Sequence, residues 1–310
     1  MPESRNSRRR FLKQCAGLSL LSMPGSKYVF ADTPIHLRPI PKTGESIPAV
    51  GMGTWLTFAV GDDSAERATR VEVLRAFLKE GGRLIDSSPM YGSSEEVIGY
   101  CLKQLHAEEK IFAATKVWTA GWQQGVRQMR RSQALWGVKR FDLMQVHNLL
   151  DWRTHLATLK SWKQEGRIRY IGVTTSHGRR HPELEKIMAT ESAIDFVQFT
   201  YNIEDREVEQ RLLPLAAERK LAVIVNRPFQ GGNLFQRVAG KPLPAWAGEI
   251  DCHDWAQFFL KFIISHPGVT CAIPATSRVE HMRENMGSLR GRLPDASLRN
   301  KMINYYESLT

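Results

Sequence analysis

Residues 111–147 read IFAATKVWTAGWQQGVRQMRRSQALWGVKRFDLMQVH. Ile111–Lys116 is a short apolar run that ends on a lysine, and Leu143–His147 is a second one that ends on a histidine. Between them Val126–Trp136 has the apolar spacing of an amphipathic helix. A strand joined through a helix to another strand is the repeating unit of a parallel sheet. In such sheets, groups at the carboxyl ends of the strands face the ligand side. Lys116 and His147 are therefore candidates for chemistry.

The same rhythm extends in both directions. Further strands are read at Ala49–Met52, Arg83–Asp86, Arg169–Val173, Phe196–Phe199, Ala222–Asn226 and Thr270–Ile273. Helical patterns fall at Ser64–Lys79, Glu95–Gln104, Trp152–Gln164, Glu183–Met188, Glu207–Arg219, Trp255–Ser265 and Val279–Gly287. Near-continuous apolar runs such as Leu221–Val225 suit strands covered on both faces. Eight strand–helix units predict an α/β chain folded as a (β/α)8 TIM barrel. The rival, a doubly wound sheet, lacks a GxGxxG loop after an early strand. Ile35 to Pro48, with Lys42-Thr43-Gly44 at a turn, predicts a short N-terminal β-hairpin. Residues 32–310 read as one domain, in which Arg227 to Ile250 forms a loop over one face.

Composition narrows the partners. The chain has 310 residues, 42% of them apolar, and a formal net charge of +11. Residues 1–31 hold Arg5, Arg8, Arg9, Arg10, Lys13 and Lys27 against Glu3 alone, so much of that charge is local. The remainder is spread over amphipathic stretches with acidic neighbours, which argues against nucleic acid and leaves a surface that favours anionic ligands such as nucleotide phosphates. No apolar run reaches the ~18–20 residues of a membrane-spanning helix. Cys101, Cys252 and Cys271 are widely spaced without a CxxC, so no disulfide framework or metal site is expected. Strand ends also lack the His/Asp cluster of a metal-dependent barrel hydrolase.

Ser7-Arg8-Arg9-Arg10-Phe11-Leu12-Lys13 opens a basic region, Cys15–Met23 is weakly apolar, and Val29-Phe30-Ala31 supplies small residues at a cleavage position. This order resembles a twin-arginine signal peptide. The resemblance implies a leader over residues 1–31 removed after Ala31, folding in the cytoplasm before export, contact with the twin-arginine machinery and a periplasmic destination.

Three strands end on an ionisable group, Asp86, Lys116 and His147, and Tyr91 follows Asp86 by five residues. In a barrel these four converge on one mouth. A tyrosine titrates near ~10 and is a sluggish proton donor alone. A neighbouring ammonium lowers that value, and a carboxylate fixes the ammonium in place. An imidazole can hold a carbonyl oxygen by hydrogen bond. The quartet suits protonation of an oxygen while hydride reaches its carbon.

The stretch Leu84-Ile85-Asp86-Ser87-Ser88-Pro89-Met90-Tyr91-Gly92-Ser93-Ser94-Glu95-Glu96-Val97-Ile98-Gly99 resembles a signature of the aldo/keto reductases. Gly51-Met52-Gly53-Thr54-Trp55, Ala114-Thr115-Lys116 and Asp142-Leu143-Met144-Gln145-Val146-His147 fit the same family in the expected order. So do Gln198-Phe199-Thr200-Tyr201-Asn202, Pro228-Phe229-Gln230-Gly231-Gly232-Asn233-Leu234 and Ile273-Pro274-Ala275-Thr276-Ser277. The resemblance implies Tyr91 as general acid, Lys116 lowering its pKa, Asp86 pairing with Lys116, and His147 positioning the carbonyl. It also implies NADPH bound across the barrel mouth, with NADH less favoured.

Cofactor contacts follow from the same resemblance: Gly53, Thr54 and Asp86 near the mouth, Thr174, Thr175 and Gln198 for the carboxamide, and Asn226, Pro228, Phe229, Gly232 and Leu234 along the seventh barrel strand and its loop. The pattern departs where Thr175 stands for an asparagine and Asn226 for a stacking aromatic. Arg227 is placed to meet the pyrophosphate, since guanidinium pairs well with phosphate oxygens. Thr276, Ser277, Arg278 and Asn285 correspond to the adenosine-phosphate site. Trp55, Trp118, Trp122 and Asn148 are expected on the substrate side, and Trp152 either joins them or begins the next helix. A second reading, a nucleotide-binding sensor or partner subunit with little turnover, is motivated by Thr174-Thr175 and Asn226. It conflicts with the intact quartet.

Overall fold

A computed structural model describes residues 34–309. The expected leader and its cleavage position after Ala31 lie outside the described residues.

The described chain begins with β1 (Leu37–Pro39) and β2 (Ser46–Pro48), an antiparallel pair with Leu37 opposite Pro48. This is the expected hairpin. Parallel strands β3 (Met52–Gly53), β4 (Leu84–Asp86), β5 (Phe112–Val117), β6 (Phe141–Val146), β7 (Ile168–Thr174), β8 (Phe196–Thr200), β9 (Ala222–Asn226) and β10 (Cys271–Ala272) then pair in chain order. Gly51 N donates to Ala272 O at 2.8 Å, Gly53 N to Pro274 O at 2.9 Å, and Ala272 N to Ala49 O at 2.9 Å, joining the first strand to the last. The sheet is thereby a ring, the (β/α)8 barrel that the alternating pattern predicts.

Helices α1 (Ser64–Lys79), α2 (Ser94–Leu105), α3 (Trp122–Trp136), α4 (Trp152–Gln164), α5 (His181–Thr190) and α6 (Leu212–Glu218) wrap its outside, as do α7 (Asn233–Arg237), α8 (Trp255–Ile264), α9 (Val279–Gly287) and α10 (Ala296–Leu309). Local chemistry sets their ends. Asp63 caps α1 by accepting from Glu66 N at 2.9 Å, and Gly137, at φ +69°, closes α3 in a conformation that glycine adopts without a Cβ penalty.

Three expectations are corrected here. Glu207–Arg219 is not one helix: Glu207–Glu209 forms a 3₁₀ turn and α6 starts at Leu212. Pro214 explains the break, because its ring would clash with the carbonyl of Gln210 and so tolerates only the first helical turn. Helix α3 begins at Trp122 rather than Val126, where the polar Gln123 and Gln124 hide its start. The stretch Arg227 to Ile250 is not wholly irregular, since it holds α7 and two 3₁₀ turns at Gln230–Gly232 and Ala245–Ile250.

Side chains alternate along each strand. Ile85, Ala113, Val117, Met144, Ile171, Val197 and Val223 face the helices and belong to the large outer core. Leu84, Phe112, Ala114, Leu143, Tyr170, Phe196, Ala222, Ile224 and Cys271 form a separate cluster with Ile40 and Ile47 of the hairpin. This second cluster fills the amino-terminal half of the barrel. Phe112, Tyr170 and Phe196 meet there with ring centroids 5.4–6.0 Å apart. Glu45 seals that end by accepting from Tyr170 Oη at 2.6 Å and pairing with Arg169. Burial of each such ring stabilises the fold by about 1.5–3 kcal/mol, which leaves the other end of the barrel free to hold polar groups.

Helices α2 and α3 cross at Gly99, where a Cβ would lie 1.8 Å from the Leu135 carbonyl oxygen. A Gly99→Ala substitution must push the two backbones apart. It is expected to lower unfolding free energy by about 1–3 kcal/mol, read from urea denaturation. An unchanged midpoint would show that the helices do not cross this closely.

Candidate active site

Inward parity continues past the apolar floor into a polar layer. Asp86 ends β4, Lys116 lies next to last on β5, Gln145 sits in β6, Gln198 in β8, and Asn226 ends β9. Register aligns Lys116 with Gln145 and Thr174 with Gln198. Gly172, opposite Gln145, has no side chain because a Cβ there would lie 2.8 Å from Gln145 Cγ. The gap lets the long amide lie across the barrel axis.

Asp86 is the hub. Its Oδ2 pairs with the Lys116 ammonium, and its Oδ1 accepts from Gln145 Nε2 at 2.9 Å and Gln198 Nε2 at 3.1 Å. Lys116 also donates to Ser87 O at 2.9 Å and to Tyr91 Oη at 3.4 Å. Both charges are shut from solvent, Lys116 at 0% and Asp86 at 1% exposure. Burial is the largest single influence and drives the ammonium toward its neutral form, yet Asp86 and Tyr91 together outweigh it and the Lys116 pKa stands above its ordinary value.

Tyr91 is half-buried, and burial is the largest influence on its phenol. The Lys116 charge pulls the pKa down and Asp86 pushes it up again; the net position is above the usual value. The structure therefore corrects one part of the expectation. Lys116 opposes the rise, but the phenol stays protonated, which is the state a proton donor needs.

His147 follows β6 directly in a 3₁₀ turn, His147–Leu149. Burial, helped by the Lys116 charge, lowers its imidazole pKa to about 2, so it is neutral at ordinary pH. Met90 N donates to Ser88 Oγ at 3.2 Å, and Ser88 Oγ lies 2.9 Å from His147 Nδ1. Ser88 Oγ thus engages Nδ1 and leaves Nε2 as the ring nitrogen free to meet a ligand; with Ser88 as the donor in that contact, the His147 proton sits on Nε2. The rings of Tyr91 and His147 meet edge to face at 5.7 Å.

Asp86, Tyr91 and His147 line a cavity of about 700 Å³ at the carboxyl ends of the strands. Gly53, Thr54, Thr174, Thr175, Gln198, Asn226, Arg227, Pro228, Phe229 and Gly232 all reach its wall, as do Trp55 and Asn148. Among the described residues Thr175 Oγ1 is buried without a hydrogen-bond partner, and the half-buried Arg227 has Asp205 as its one offsetting charge. An unpaired hydroxyl and a guanidinium on one wall fit a ligand with a hydrogen-bonding amide end and an anionic end. A dinucleotide is such a ligand.

Other expected positions fall elsewhere. Leu234 is 0% exposed within the outer core. Thr276, Ser277, Arg278 and Asn285 do not line this cavity; they lie between β10 and the last turn of α9. Trp122 is 59% exposed at the start of α3 and is also absent from the wall. Trp118 has its ring centroid 6.5 Å from that of His147. Trp152 begins α4 and donates to Glu183 Oε1 at 3.0 Å, so it belongs to the helix layer. Sequence reasoning assigned no role to Gln145 or Ser88. Gln145 carries a signal, for it stands two residues before His147 on the inward parity. Ser88 carries none, since its role depends on where the loop folds.

The aldo/keto reductase family matches residues 49–300. A methylglyoxal reductase of Escherichia coli is 30% identical over 260 residues, which is 82% of this chain and 89% of that protein. An aldo/keto reductase from Klebsiella pneumoniae, solved with NADP and acetate, is 25% identical and superposes with a TM-score of 0.70 over 85% of this chain and 93% of that one. A thermostable aldo-keto reductase solved with the inhibitor epalrestat is 27% identical, with a TM-score of 0.71 over 89% of this chain and all of that one.

Removing one partner from the buried pair leaves an uncompensated charge. Lys116→Met is expected to cost about 3–5 kcal/mol of stability, and adding Asp86→Leu should recover most of it in a double-mutant cycle. Additive losses in urea unfolding would mean that the two charges do not interact.

Proposed function

This chain belongs to the aldo/keto reductase family of NAD(P)H-dependent oxidoreductases, and from that premise we propose that it reduces an aldehyde or ketone to an alcohol with NADPH, Tyr91 giving the proton. The observation that carries this reading is the protonated Tyr91 phenol held 3.4 Å from a buried, carboxylate-anchored ammonium. The bound nicotinamide supplies hydride to the carbonyl carbon.

Everything else is the work of the chain's own side chains. His147 Nε2 donates to the carbonyl oxygen and aims it at Tyr91 Oη. As negative charge grows on that oxygen, the phenol hydrogen moves to it. Lys116 stabilises the phenolate left behind, and Asp86 keeps the ammonium charged and in place. Thr174, Thr175, Gln198 and Asn226 hold the carboxamide side of the dinucleotide, and Arg227 its diphosphate. Thr276, Ser277, Arg278 and Asn285 receive its adenosine end, where Arg278 favours the extra phosphate of NADPH. Trp55 and Trp118 flank the carbonyl compound. The relative named for methylglyoxal makes a small dicarbonyl a useful first substrate to assay.

The leader belongs to the same proposal. An enzyme that folds around its cofactor before twin-arginine export carries the nucleotide with it. Replacing Arg8 and Arg9 by lysine should then keep the protein in the cytoplasm, checked by fractionation; continued export would remove this part of the reading.

Tyr91→Phe preserves the ring and deletes the proton. Turnover is expected to fall roughly 10²–10⁴-fold while NADPH binding, followed by fluorescence, is retained. Equal turnover in the two proteins would refute the assignment of the acid.

A further inference from the structure

The turn after β7, Ser176-His177-Gly178-Arg179-Arg180, has no part in the chemistry above, yet four of its side-chain-bearing residues line the cavity. His177 N donates to Thr200 Oγ1 at 3.0 Å, and Thr200 Oγ1 donates to Asn226 Oδ1 at 2.7 Å. These bonds bring the turn beside the end of β9, where Arg227 begins the next loop. Arg227 lies back toward its own loop, since a Cβ on Gly231 would be 3.8 Å from Arg227 Nη2.

Three basic side chains, His177, Arg179 and Arg227, therefore share one side of the cavity. Their proximity shows in the imidazole, whose pKa is lowered first by burial and then by the Arg227 and Arg179 charges. Asp205 is the one acid that offsets them there, fixed in place by Asn202 Nδ2 at 2.8 Å and Gln230 Nε2 at 2.9 Å, so one carboxylate faces three basic groups. The neighbouring Arg180 is committed to Glu183, which accepts from its Nε at 2.8 Å. Among the described residues no carboxylate lies within ion-pair distance of Arg179 or Arg227, and Arg227 feels the Asp205 charge alone as an offset.

Gathering three basic groups against a single acid is unfavourable, and the backbone here is strained as well. His177, Arg180, Arg227 and Gln230 hold φ values of +60°, +58°, +51° and +50°. Left-handed conformations cost L-residues free energy and collect at ligand sites. Both costs fall on the two loops that flank the same side of the cavity.

We propose that His177 and Arg179 on one loop and Arg227 on the other form two jaws that close on an oxyanion, phosphoryl or carboxylate, of the ligand held in the cavity. The proposal rests on the reading of the cavity as a dinucleotide and carbonyl site, and it adds the β7 turn as an anion-binding element. Two sources supply that chemistry: the diphosphate of the dinucleotide, or an anionic group on the carbonyl substrate. Arg227 holds one jaw beside Asn226; Arg179 swings in from the exposed turn and sets how tightly the anion is retained.

Arg179 is exposed, so Arg179→Gln should leave the fold intact, confirmed by circular dichroism. In the full chain the variant is expected to bind NADPH about tenfold more weakly, with a shallower salt dependence, while Arg179→Lys recovers part of the affinity. Inorganic pyrophosphate, titrated by calorimetry, should bind the wild type and lose affinity in Arg179→Gln whether or not NADPH binds. At saturating NADPH, KM is compared for benzaldehyde and para-carboxybenzaldehyde. A rise confined to the carboxylate-bearing aldehyde, with NADPH affinity unchanged, supports the clamp and assigns its anion to the substrate. Should NADPH affinity, pyrophosphate affinity and both KM values stay within about twofold, the clamp is overturned, and unimpaired wild-type NADPH binding then leaves the proposed function standing.

Discussion

A lysine and an aspartate sealed inside a barrel with no access to water are the constraint around which the rest is arranged. Such a pair is expensive unless geometry and additional hydrogen bonds compensate each ion. Asp86 meets that condition with three donors from three other strands: Lys116, Gln145 and Gln198. Lys116 meets it with the Asp86 carboxylate, the Ser87 carbonyl and the Tyr91 hydroxyl. The barrel must therefore keep strands β4, β5, β6 and β8 in register for the ions to be satisfied. Register, in turn, carries Tyr91 and His147 to the same mouth.

That arrangement separates the two functional groups by protonation. Burial and a nearby ammonium hold the imidazole neutral, whereas burial outweighs the same ammonium at the phenol and keeps its hydrogen on. One cation thus serves two purposes: it adds to the burial that keeps His147 neutral, and it waits for the phenolate that Tyr91 becomes. The apolar floor of Phe112, Tyr170 and Phe196 excludes water from below, and low polarity around the pair strengthens each electrostatic contact.

Much of this was legible in the sequence for a physical reason. Inward and outward positions alternate strictly along a strand, so Asp86, Lys116 and His147 at the ends of apolar runs had to face one region. The ends of Ala222–Asn226, Ser64–Lys79 and Trp152–Gln164 were readable because apolar spacing changes sharply there. Where the spacing is weak the reading was lost: α10 buries few side chains, Arg299, Met302 and Tyr306 among them, and offered no clear stripe. Pro214 was a visible breaker inside Glu207–Arg219 that the apolar pattern overrode. Trp122 could not be separated from Trp55 by residue type, since both are exposed aromatics and only the fold places one on the cavity wall. Ser88 and the β7 turn were invisible in their roles, because loop conformation rather than periodicity brings them to His147 and Arg227.

The most direct test of the account is a single-turnover reaction in which enzyme carrying NADPH deuterated on the transferred C4 position is mixed rapidly with an aldehyde. The account predicts that nicotinamide absorbance decays in one phase, that deuterium slows it, and that the label appears on the alcohol carbon. Bound NADPH that remains unchanged with every carbonyl compound offered, or a product alcohol without deuterium, would contradict it.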